Sequence, residues 1–96
     1  MKNYPTEDQL ERIENWPLDD LPALMEYVHS IWSYADAGYW NWTAGETKYS
    51  LSTAGWSGNE DIIRALMENT MFWMLCWESS KRGGHYEFEV RGEIKK

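Results

Sequence analysis

The sequence predicts an α+β domain of order α-α-β-β-α-β, a three-stranded, mainly antiparallel sheet packed on a long central third helix. Apolar residues recur at helical spacing in three stretches, and two short stretches alternate apolar with polar side chains as half-buried strands do. The chain has 96 residues, which suits a single domain. Its core must be modest, and seven Trp, six Tyr and two Phe supply much of the apolar area.

The elements follow in order. Thr6 with Gln9 forms a capping box, Leu10, Ile13 and Trp16 follow at helical spacing, and Pro17 ends a first helix over about 7–16. Asp19 or Asp20 caps a second helix that carries Pro22 in its first turn. Leu21, Leu24, Met25, Val28, Trp32 and Ala35 make its stripe, which ends near Gly38. Residues 39–43 and 48–53 read as a hairpin.

Ser57 with Glu60 reads as a second capping box that opens a helix over about 59–80. Its segment MFWMLCW, residues 71–77, is apolar on every side and predicts a helix enclosed by protein, with Trp73 buried. The amount of apolar surface there also predicts a homo-oligomer. Arg82, Gly83 and Gly84 stop the helix, and residues 85–91 alternate as a third strand with Tyr86, Phe88 and Val90 inward.

Formal net charge is −7, which argues against general affinity for nucleic acid, because phosphate backbones are held by a surplus of Lys and Arg. The acids are unevenly placed. Glu7, Asp8, Glu11, Glu14, Asp19, Asp20 and Glu26 meet only Lys2 and Arg12 within residues 1–26, whereas charges nearly balance from Gly58 onward. That concentration is either a solubilising helical surface or a face that engages a basic protein or imitates nucleic acid. No run of apolar residues reaches membrane-spanning length, the N-terminal residues lack a signal-peptide core, and Cys76 has no second cysteine with which to pair. These features predict a cytoplasmic protein.

Two glycine-bearing corners are candidate sites. In STAGWSGNE, residues 52–60, a strand passes into a helix whose first N–H groups, at Ser57, Gly58 and Asn59, are a ready seat for phosphate or carboxylate. Trp56 there is suited to stacking on a base, although the same glycines serve equally to turn a corner. It is not a P-loop, since GKS or GKT is missing. In SSKRGGHY, residues 79–86, Arg82 and His85 can meet an anion, or Lys81 and Arg82 can complement a helix dipole. Placed at opposite ends of one long helix, the corners would lie roughly 30 Å apart, so that only an oligomer would join them.

Catalytic or metal-binding signatures are thin. His29 and His85 lack metal-ligand spacing, Cys76 sits in an aromatic run, and Asp36, Glu60 and Asp61 have no evident carboxylate partner. The residues favour a binding protein that needs no cofactor over an enzyme.

The segments STAGWSGNEDII and FWMLCWESSKRGGHYEFEV resemble those of small phage-encoded proteins of no settled function, which carry an STGGWSGNE-like stretch, an aromatic helix and an RGGHY ending. The resemblance covers about residues 50–90, and Ala54 stands where a second glycine is expected. It implies a phage accessory protein acting inside a bacterium, countering host defence by sequestering a nucleotide signal or by blocking a defence protein. The first reading assigns Trp40, Trp42 or Trp56 to a base, Ser57, Gly58 and Asn59 to N–H donation, and Arg82 or His85 to phosphate. The second, an inhibitor resembling anti-CRISPR proteins, uses the acidic face of the first two helices.

Overall fold

The computed structural model describes residues 4–33, 39–42, 47–53 and 55–90. Among them are helices α1 (Glu7–Glu14), α2 (Leu21–Ile31), α3 (Ser57–Glu68) and α4 (Thr70–Cys76), a 3-10 turn at Leu18–Asp20, and strands β1 (Trp40–Asn41), β2 (Lys48–Ser52), β3 (Trp77–Lys81) and β4 (His85–Glu89). The class is α+β as expected. The sheet, however, has four strands in the order β1-β2-β4-β3, all adjacent pairs antiparallel.

The start of α1 is set locally: Thr6 Oγ1 accepts from Gln9 N at 3.1 Å, and Gln9 Oε1 accepts from Thr6 N at 2.9 Å. Pro22 lies in the first turn of α2, but Asp20 makes no side-chain cap there. The predicted stripe of α2 is real, with Leu21, Leu24, Met25, Val28 and Trp32 all buried. Ala35 and Gly38 lie outside the described residues, as do 43 and 54.

The long third helix is replaced by two helices and a strand. Asn69, with φ −81° and ψ 82°, breaks the run, and its carboxamide supplies the reason. Nδ2 donates to the carbonyls of Ile13 at 3.0 Å and Trp16 at 3.2 Å, while Oδ1 accepts from Phe72 N at 3.3 Å and so caps α4. Residues 77–81 then pair with β4 across a three-residue turn, 82–84, in which Gly83 (φ 85°) and Gly84 (φ 81°) take left-handed conformations that favour glycine. Two serines in this segment weaken helix formation further.

The capping-box reading at Ser57 is also corrected. Trp56 is the N-cap and Ser57 is already helical, its hydroxyl donating to Tyr4 Oη at 3.1 Å.

The core gathers Ile13, Leu24, Met25, Val28, Leu51, Ile62, Leu66, Phe72 and Phe88 from helices and sheet alike. Tyr49, Leu51, Phe88 and Val90 point inward, Tyr86 is half-buried, and Glu87 and Glu89 lie on the wetter face. The segment 71–77 is not enclosed. Phe72 and Cys76, spaced i and i+4, face the core and Trp73 is half-buried, whereas Met71, Met74, Leu75 and Trp77 are exposed. Burial pushes the Cys76 thiol up to about 11, leaving it a poor nucleophile near neutral pH.

Replacing Asn69 by Ala leaves the buried Ile13 carbonyl, the part-buried Trp16 carbonyl and the Phe72 N–H without this partner, so it should cost about 1–3 kcal/mol or more in urea unfolding. Asn15→Ala, which removes an exposed bond to Glu11 O, should cost clearly less. Equal losses in the two variants would show that Asn69 is not the joint described.

Candidate functional site

The two glycine corners, expected at opposite ends of one helix, are side by side. Pairing of β2 with β4 sets Ser52 opposite His85, and the next residue, Thr53, donates its N–H to Gly84 O at 2.9 Å. The approach is close enough that a side chain at position 84 would collide with Thr53 Oγ1. Long-range strand pairing, rather than oligomerisation, therefore unites the segments.

The groups in this corner serve the fold first. Buried Thr53 accepts from Gly55 N at 3.3 Å through Oγ1, which also lies 3.5 Å from Glu60 Oε2. Glu60 thus brings a negative charge to the first turn of α3, where the helix dipole favours it. Asn59 is fully buried, its Oδ1 accepting from Ser33 N at 2.9 Å and its Nδ2 donating to Ser33 O at 3.0 Å. This carboxamide is a clasp between the end of α2 and the start of α3.

Trp56 packs on Tyr4, ring centroids 4.6 Å apart, and lies over Gly58, where an added Cβ would come within 2.7 Å of the indole Nε1. Gly58 is buried, and Ser57, Arg82 and His85 are exposed. Trp40 and Trp42 belong to a different aromatic group. Trp40 contacts His29 at 4.8 Å, Trp32 at 5.7 Å and Tyr49 at 5.9 Å, while Trp42 stacks parallel to Tyr49 at 5.3 Å. Burial, and next to it the charge of Glu26, holds the Tyr49 phenol above its ordinary range. The eight residues proposed from sequence therefore divide between the β2–β4 corner and the α2–β1 aromatic group.

A larger concavity lies on the acidic helices. It is a cleft of about 540 Å³ whose walls include Asp8, Glu11, Asp19 and Asp20, with Arg12 and the Trp16 indole among them. Trp16 is fixed at three points: its carbonyl accepts from Asn69, its Nε1 donates to Asp20 O at 2.8 Å, and its ring meets Tyr27 at 5.5 Å. The Arg12 guanidinium sits 5.5 Å from the Tyr27 ring centre. Charge asymmetry signalled this face in the sequence, and Trp16 before Pro17 marked its corner. The cleft is lined from within residues 8–20, but the Asn69 bond to Trp16 O that helps to hold its corner spans more than fifty positions and has no local signal.

A smaller cleft, about 170 Å³, lies beside Lys48, Ser50, Glu78 and Glu87. Glu87 is held below the ordinary carboxylate range by the Ser79 hydroxyl, then by Lys81. Any stability this gives is present above that range and fades as pH falls through the lowered pKa. Among the described residues no group of three or more His, Cys, Asp or Glu is placed to hold a metal ion, and no helix is long and apolar enough to cross a membrane.

No protein-family model matches the chain, and no curated protein or solved structure is found to be similar to it.

The corner yields a paired prediction. Gly55 and Gly84 both have positive φ, but a Cβ at Gly55 meets nothing within 4 Å whereas one at Gly84 meets Thr53. Gly55→Ala should therefore cost about 1–2 kcal/mol from backbone strain alone, and Gly84→Ala distinctly more. Equal unfolding free energies for the two variants would refute the close Thr53–Gly84 approach.

Proposed function

We propose that this chain is a non-catalytic binding protein whose acidic helical face, centred on the Trp16 cleft, takes an arginine-bearing segment of a partner protein. The observation that carries this reading is the composition of the cleft wall, in which four acidic residues outnumber the single cation Arg12 and share the concavity with the anchored Trp16. A guanidinium can pair with carboxylate in bidentate fashion and stack on an aromatic face, both of which an ammonium does less well. Exposed ion pairs contribute only about 0–1 kcal/mol each, so selectivity depends on the indole and on several contacts acting together. The resemblance to small phage-encoded proteins supports a host defence protein as the partner, engaged in the bacterial cytoplasm.

One observation favours a second reading, sequestration of a nucleotide-like anion. The Thr53–Gly84 junction brings the segment of Trp56, Ser57, Gly58 and Asn59 beside that of Arg82 and His85. Against it, the Asn59 carboxamide and the Trp56 ring already have partners within the fold.

Titration with an oligo-arginine peptide and with an oligo-lysine peptide of equal length, followed by calorimetry, separates these readings. The arginine peptide should bind more tightly, weaken as salt rises, and lose at least about tenfold in affinity to a Glu11→Lys/Asp19→Lys variant. Equal binding of both peptides, or no effect of the variant, would refute the cleft. A thermal shift with nucleotides that disappears in Arg82→Ala would favour the second reading instead.

A further inference from the structure

We propose that the apolar face formed by Met71, Met74 and Leu75 of α4, with Trp77 at the start of β3, is the contact surface of a two-fold dimer of this chain. These side chains are 50%, 73%, 50% and 41% exposed. Residues 71, 74 and 75 share one side of α4 by their i, i+3, i+4 spacing, while Phe72 and Cys76 occupy the buried side. Met67, in the last turn of α3, adds a further exposed side chain before the Asn69 bend.

Size and charge together select the occupant. Five large side chains at about half exposure present on the order of 400 Å² of apolar surface, the size of the largest apolar patch on a typical monomer, which is often functional. A stable interface buries about 800 Å² per partner with a polar rim around an apolar centre. Glu68, Thr70 and Glu78 lie next to this centre in the chain and are exposed, as a rim must be.

Two copies of a chain with net charge −7 repel each other wherever acids face acids. Residues 69–77 carry no charge, whereas Asp8, Glu11, Asp19 and Asp20 line the cleft on the acidic helices. A cationic partner is drawn to those acids, whereas on the uncharged face a second copy meets acids only at the solvated rim, at Glu68 and Glu78, where the repulsion is screened. Methionine suits a self-complementary contact, since its unbranched side chain adapts to whatever the symmetry axis places against it.

This inference is independent of the acidic cleft, and salt distinguishes the two. Sedimentation of the full chain across the micromolar range should give a dimer of twice 11.4 kDa, unweakened by high salt because an apolar contact between acidic chains is not screened away. Met74→Lys and Leu75→Lys should each weaken dimerisation at least about tenfold, with unchanged circular dichroism because both side chains are exposed. Each change also lowers the net negative charge, so a loss cannot come from stronger long-range repulsion between the two acidic chains, and reflects instead the ammonium set into the apolar contact. Trp42→Lys, beside β1, should leave the dimer intact. A monomer at hundreds of micromolar in high salt overturns the proposal, as does a dimer that survives both lysine variants. Capture of a synthetic leucine-lysine amphipathic helix by this face of a monomeric chain would overturn it too, and would assign the face to a foreign partner.

Discussion

The carboxamide of Asn69 is the joint on which the arrangement turns. Buried and bonded to Ile13 O, Trp16 O and Phe72 N, it ends one helix, caps the next and holds the end of α1 against both. The change of direction lets the chain leave α4 as a strand rather than continue as an aromatic helix, and that strand completes the sheet edge beyond β4. Asn59 makes the corresponding clasp at the other end of α3, onto Ser33. Two buried amides thus position three neighbouring segments that a core of this size would fix only loosely by apolar contact, because hydrophobic burial is non-directional.

The same joint connects packing to the acidic face. Trp16 lies between the Asn69 bond at its carbonyl and the Asp20 bond at its indole, so the turn from α1 into the 3-10 segment is held from both sides. Asp8, Glu11, Asp19 and Asp20 are thereby brought around one cleft, although like charges so placed repel. A cation entering the cleft relieves that repulsion. On the proposed reading, the acids combine a modest cost in the isolated chain with a favourable term in the complex, so that some stability is given up for recognition.

What was legible in the sequence is what short-range physics decides. Thr6 and Gln9 are three positions apart, Pro17 acts on its own backbone, and the stripe from Leu21 to Trp32 follows from helical period alone. The alternation from Tyr86 to Val90 likewise identifies β4, and the hairpin of β1 with β2 needs only a short connection. The helix break was illegible because the partners of Asn69 are more than fifty residues away, and by local pattern Asn69 reads as one more polar position on an amphipathic helix. The strand at 77–81 was hidden for a related reason: a bulge between Trp77 and Ser79 disturbs its alternation. For the site, the glycines pointed correctly to two tight corners, but only the β2–β4 register reveals that they touch. The ring partners of the tryptophans were not legible either, Tyr4 for Trp56 and Tyr49 for Trp42, since both are matters of tertiary packing.

The central claim, that recognition resides in the acidic cleft shaped by Trp16, can be examined residue by residue by following backbone amide resonances of isotope-labelled protein while an oligo-arginine peptide is added. The account predicts the largest shifts within residues 8–20 and at the Trp16 indole N–H. Shifts centred instead on residues 53–58 and 82–85, with the α1 amides unmoved, would contradict it.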